Sequence, residues 1–115
     1  DGDTVELFNG TVLRYTAITA PEERESFAEK ATKLNQSLVE GKEIKLEYDN
    51  YKSDKFGRIL AYPILQDGTN VSIELVKKGM AELVIYQKRK PFIYQVQLLE
   101  AQEHAKKQNL GIWKK

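Results

Sequence analysis

Cysteine is absent from this chain, and histidine occurs once, at His104. The first absence excludes disulfides, thiolate metal sites and cysteine nucleophiles, and it leaves the redox compartment open because a chain without thiols suits any compartment. The single histidine, far in sequence from the other candidate residues, leaves neither a zinc cluster nor a serine triad to assemble around it. Long apolar runs are missing too. None approaches the roughly 18 residues needed to cross a bilayer, and the opening Asp1-Gly2-Asp3 resembles no signal peptide. Charge of one sign is equally scarce, with a formal net of +1. Any pull on a polyanion must therefore come from local clusters of Lys and Arg and not from a global field.

What is present is the make-up of an ordinary folded domain. Hydrophobic residues at 41% and charged residues at 30% of 115 positions suffice for one core and not for two, so a single domain over residues 1–115 is expected. Lys77-Lys78, Lys88-Arg89-Lys90, Lys106-Lys107 and Lys114-Lys115 are short basic runs, either solvated faces or a positive rim.

Along the chain, Asn9-Gly10 between apolar segments is a strong hairpin signal, which predicts strands over residues 3–8 and 11–18. Pro21 punctuates, and Phe27, Ala31, Leu34 and Leu38 recur at helical spacing within residues 22–40, with Gly41 as the stop. Ile44, Leu46 and Tyr48 alternate with Lys45 and Glu47, the mark of a half-buried strand. A polar loop over residues 49–57 leads to an apolar segment at 58–65. Gln66-Asp67-Gly68-Thr69 then turns the chain into a short helix with Ile73, Leu75 and Val76, which ends at Gly79. Residues 80–86 read as a strand, and beyond Pro91 the apolar Val96, Leu98, Leu99, Ala101 and Ala105 predict a helix packed by one face. Gly111-Ile112-Trp113 closes the chain. The order predicts a mainly β, α+β fold: a closed or nearly closed antiparallel barrel with helices packed on it.

Five landmarks in this order carry a resemblance: Asp1-Gly2-Asp3-Thr4, Leu13-Arg14 through Ala20-Pro21-Glu22, Asp54-Lys55-Phe56-Gly57-Arg58, Leu75 through Gly79, and Gly111-Ile112-Trp113. Together they resemble the staphylococcal nuclease family over nearly the whole chain. The resemblance implies a five-stranded oligonucleotide-binding (OB-fold) barrel with three helices. Family members have a strand before the Asp-Gly-Asp motif, so the first strand is expected to be truncated here. The segment between Glu22 and the first helix is shorter than in familiar members, which removes a flexible loop beside the site.

The same resemblance assigns roles. Arg14 would hold the scissile phosphate, Arg58 would stabilise the transition state, and Glu22 would orient or deprotonate the attacking water. The chemistry fits these residue types, because guanidinium is a planar, permanently charged fork for phosphate oxygens and a carboxylate can direct water. Taken singly, an arginine at a strand edge is usually a surface residue and a glutamate after proline a helix-start charge. The family's calcium ligands would fall on Asp3, on position 19 and on the main-chain carbonyl of Ala20, with Asp1 and Glu22 acting through waters. Position 19 is Thr19 and not a carboxylate, so weak calcium binding is expected. Lys55 would contact a terminal phosphate and Tyr86 would stack on a base, while Phe56 stands where the family often has tyrosine.

Three functions compete. The first is a metal-dependent nuclease acting on single-stranded or flexible DNA and RNA with little base specificity. The second is a catalytically weak or inactive module that binds nucleic acid or protein, as in the degenerate repeats of Tudor staphylococcal nuclease proteins, and Thr19 favours it. The third, a partner-binding barrel with an accidental site, does not explain why Arg14, Glu22 and Arg58 all remain. A monomer is expected, and the resemblance implies a secreted or cell-envelope protein.

Overall fold

The hairpin forms where Asn9-Gly10 places it, between β1 (Thr4–Glu6) and β2 (Val12–Tyr15), antiparallel with Val5 opposite Leu13. This is a computed structural model, and it describes residues 1–85 and 90–115. The second strand does not run on to residue 18. It breaks at Ala17, whose φ of 73° lies in the left-handed region, and resumes as β3 (Ile18–Thr19). A non-glycine residue in that region costs roughly 1–2 kcal/mol, so something else in the structure must hold this corner.

The expected antiparallel pairing is corrected at one place. β5 (Ile59–Ile64) lies parallel to β2, with Leu13 beside Ile59, and antiparallel to β4 (Lys45–Glu47). Parallel pairing needs a long crossover, and α1 (Ala28–Val39) followed by β4 supplies it. The resulting sheet has the order β1-β2-β5-β4, while β3 forms a separate two-stranded ladder with β6 (Glu82–Leu83). Of the strand expected over 80–86, Glu82 and Leu83 pair, and Tyr86 lies outside the described residues.

Three α-helices are present, as expected, among the described residues: α1, α2 (Val71–Lys77) and α3 (Gln95–Lys107). The first starts at Ala28 and not at Glu22. Residues 22–25 instead close their own turn, in which Glu25 N–H donates to Glu22 O (2.8 Å) and Glu22 N–H to Glu25 Oε1 (2.7 Å). Phe27, at φ 70°, then breaks any helical continuity between that turn and α1. Helix α2 starts cleanly because Asn70 caps it, accepting from Ile73 N–H at 3.3 Å. It packs against α3, α1 and β5.

The core lies between sheet and helices and includes Leu13, Tyr15, Ile18, Tyr62, Leu75 and Leu98, all buried. Each such side chain contributes about 1.5–3 kcal/mol by leaving water. Among the described residues no helix is long and apolar enough to cross a membrane.

Candidate active site

The Asp-Gly-Asp turn is pressed onto α1 at Gly2, where a Cβ would sit 2.7 Å from Ala31 Cβ and 2.9 Å from Ala20 Cβ. Only glycine allows that approach, and it fixes Asp3 inside the protein. Asn35, buried on the facing side of α1, completes the anchor: its amide donates to the carbonyls of Asp1 (3.0 Å) and Thr4 (3.1 Å), and its oxygen accepts from Tyr15 Oη (2.5 Å). Burial pushes the Tyr15 phenol up despite the opposing bond to Asn35, with the nearby Asp3 adding to the rise, so Tyr15 remains a neutral donor.

The Asp3 carboxylate has partners on both oxygens. Oδ2 accepts from Ala20 N–H at 2.8 Å and lies 3.4 Å from Arg14 Nη2, and Oδ1 accepts from the Thr4 hydroxyl at 2.8 Å. Thus it is the N–H of Ala20 that ties this residue to Asp3. Thr19, half-buried on β3, is paired with Glu82 across the ladder.

Arg14 performs the task that the Ala17 corner requires. Its Nη1 donates to the carbonyls of Tyr15 and Ile18, both at 2.8 Å, and so staples the two sides of the bend. Both Nη1 hydrogens are thereby used. The Nε–Nη2 edge, the fork that pairs with planar oxyanions, keeps only the longer ion pair to Asp3 among the described residues.

Arg58 is presented differently. Asp54 opens a tight turn in which Oδ1 accepts from the N–H of Phe56 (2.9 Å) and of Arg58 (3.0 Å), and Gly57 takes φ 80°. Oδ2 of the same carboxylate accepts from Arg58 Nε at 2.7 Å, which leaves both Nη groups of Arg58 without hydrogen-bond partners among the described residues. Partial burial opposes ionisation of Asp54, but the hydrogen bonds from Arg58 and Phe56 outweigh it and hold its carboxyl below the usual carboxylate range. Asp54 therefore stays charged and orients the guanidinium.

Arg14, Lys55 and Arg58 line one cleft of about 460 Å³. It is lined by the strand corner, by the loop between β4 and β5, and by Lys90 and Phe92. Four cationic side chains and two carboxylates, Asp49 and Asp54, face it, so the cleft carries an excess of positive charge. Asp3 stands behind Arg14. Glu22 does not join the lining: it is exposed on the turn before α1. Lys90, Phe92, Asp49 and Asn35 were not singled out from sequence. Lys90 carried a signal as the end of a basic run, but nothing local in the sequence reveals the others.

These donors do not fit a calcium ion, which takes six to eight oxygens and depends on carboxylate charge. Asp3 is engaged by three donors, Thr19 is neutral, and among the described residues no group of three acidic or histidine side chains is placed to hold a metal.

The architecture defines an α+β domain with a cation-lined cleft at a strand corner. Residues 12–115 match the model of the staphylococcal nuclease homologue family, and the chain belongs to that family. It is 35% identical over its whole length to the SPbeta prophage-derived endonuclease YokF and to endonuclease YncB, both of Bacillus subtilis (strain 168). The matches cover 42% and 58% of those two proteins, so the chain spans about half their length. An uncharacterized endonuclease of Escherichia coli is 31% identical over 98% of this chain and 71% of its own.

Proposed function

We propose that this domain hydrolyses phosphodiester bonds in single-stranded or flexible DNA and RNA, as a monomer and with little base specificity. The observation that carries the reading is the convergence of Arg14 and Arg58, from a strand corner and a distant loop, on one cleft with Lys55. Its family membership and its endonuclease-named relatives support the same class of reaction. The contacts it offers are for phosphate, which every nucleotide carries, so low sequence specificity follows. In the same reading, the four-stranded sheet and the β3–β6 ladder are parts of one five-stranded barrel, with Ala17 marking a corner in a single strand.

In the proposed reaction the Nε–Nη2 edge of Arg14 holds a non-bridging oxygen of the scissile phosphate. The Nη groups of Arg58, which have no hydrogen-bond partner among the described residues, bind the charge that grows on the phosphoryl oxygens and the leaving oxygen as water attacks in line. A preorganised donor of this kind is worth about 10²–10³ in rate. Glu22 takes the water-directing role by family resemblance. No step is assigned to calcium. The neutral Thr19 and the engaged Asp3 support weak binding of that ion, with a dissociation constant above the micromolar range by calorimetry.

A second reading, binding without cleavage, is favoured by the exposed position of Glu22 outside the cleft. A cleavage assay on single-stranded DNA, with calcium raised from trace to high concentration, separates the two. Loss of cleavage in both Glu22→Gln and Arg58→Ala supports the nuclease. Binding without cleavage at any calcium concentration supports the second reading, and cleavage indifferent to both substitutions overturns the assigned site.

A further inference from the structure

Lys90 and Phe92, which line the cleft, belong to the segment that leads into α3, and the loop after β4 lines it as well. Their link is a carboxylate. Asp49 Oδ2 accepts from Ile93 N–H at 3.0 Å and from Tyr62 Oη at 2.7 Å, and Oδ1 accepts from Asn50 N–H at 2.8 Å. Tyr62 is buried on β5. Two residues before Asp49, Glu47 accepts from the hydroxyl of Tyr94, whose ring meets that of Tyr62 edge-on with centroids 4.8 Å apart. Glu47, the last residue of β4, and Asp49, two residues on in the loop, thus grip consecutive residues of the segment before α3, Tyr94 and Ile93.

The two grips differ in reach. The bond from Glu47 ends on a phenol, whereas the one from Asp49 ends on a backbone N–H three residues from Lys90 and next to Phe92. It therefore fixes the path of the main chain. Burial pushes the Tyr62 phenol up, and its bond to the Asp49 carboxylate pushes it further, so Tyr62 stays a donor and holds the carboxylate in place.

We infer that Asp49 is a positioning residue that holds the 90–93 segment against the β4–β5 loop, so that Lys90 supplies an ion pair to phosphate in the cleft it lines together with Arg58. This rests on the reading of the cleft as a binding site for a nucleic-acid strand. It adds a substrate-binding residue, Lys90, and a carboxylate that acts through the backbone and touches no substrate.

The test is the affinity of a labelled oligothymidine strand, measured in EDTA over a range of salt so that binding is read without cleavage. Each phosphate of a single strand that the protein neutralises adds about 0.7 to the magnitude of the slope of log affinity against log salt. Lys90→Gln is expected to lower the slope by that amount, Asp49→Ala to lower it equally, and the double variant to lower it no more than either alone. Asp49→Asn, whose amide oxygen can take the place of Oδ2 and accept from Tyr62 and Ile93, is expected to restore the wild-type slope. If Asp49→Ala fails to fold, Tyr62→Phe keeps the packing and removes one of the two donors to Oδ2. Its effect on the slope is expected to be smaller and again to vanish in the Lys90→Gln background.

A wild-type slope in both Asp49→Ala and Tyr62→Phe, or reductions that add to that of Lys90→Gln, overturns the inference while leaving the binding cleft intact. Wild-type protein that shows no salt-dependent binding overturns the cleft reading and the inference with it.

Discussion

Two arginines face the same cleft, yet their surroundings make opposite demands on them. Arg14 is built into the protein: two carbonyls across the Ala17 corner and the buried Asp3 depend on it. Arg58 hangs from a turn, held at Nε by Asp54 and lying over the Phe56 ring, with its outer nitrogens lacking hydrogen-bond partners among the described residues. A cation that satisfies buried acceptors is part of the fold, and one that is merely aimed by a carboxylate is available to a ligand. The cleft is lined by both kinds.

Substituting each arginine separates the two roles. Arg14→Ala is expected to abolish cleavage and also to destabilise the protein by about 2–3 kcal/mol in urea unfolding, because two carbonyls and a buried carboxylate lose their partner. An unchanged midpoint would show that water replaces the guanidinium at the corner. Arg58→Ala is expected to lower cleavage by about 10²-fold or more and to change stability by less than about 1 kcal/mol, since the Asp54 pair is partly solvated. Equal destabilisation by the two substitutions would erase the contrast.

Further along the same side, Thr19→Asp adds a carboxylate near Asp3 and is expected to tighten calcium binding at least roughly tenfold by calorimetry. No gain would mean that Asp3 stays committed to Arg14 and Ala20. The smallest effect is expected at Tyr94, before α3. Hydrogen bonding to Glu47, with some burial, pushes the Tyr94 phenol up to about 12. An ordinary tyrosine ionises near pH 10, so this bond stabilises the fold fully below about that pH and is lost as pH rises through about 12. Ultraviolet titration of wild type against Tyr94→Phe should show one late-ionising phenol missing from the variant.

Much of this is legible in the residues. Asn9-Gly10 places the hairpin and the helical spacing of Ala31, Leu34 and Leu38 places α1, while of the Asp54–Arg58 turn the residues give only a polar loop over 49–57, within which Asp54 bonds the backbone N–H groups two and four residues on. The start of α1 is not legible, because residues 22–25 carry helix-start chemistry but spend it on a closed turn. Nor is the parallel β2–β5 pairing, because periodicity reports which face is buried and not the direction of a neighbour.

The sequence by itself determined the local chemistry: the turns, the amphipathic faces, the charged forks and the absence of a second carboxylate at Thr19. Tertiary structure alone decided that Arg14 belongs to a strained corner, that Asn35 anchors the Asp-Gly-Asp turn, and that Asp49 ties the loop after β4 to the segment before α3. The physical reason is range. A turn or a helix face is fixed by neighbours a few residues away, whereas a buried donor finds its acceptor only after strands distant along the chain have been brought side by side.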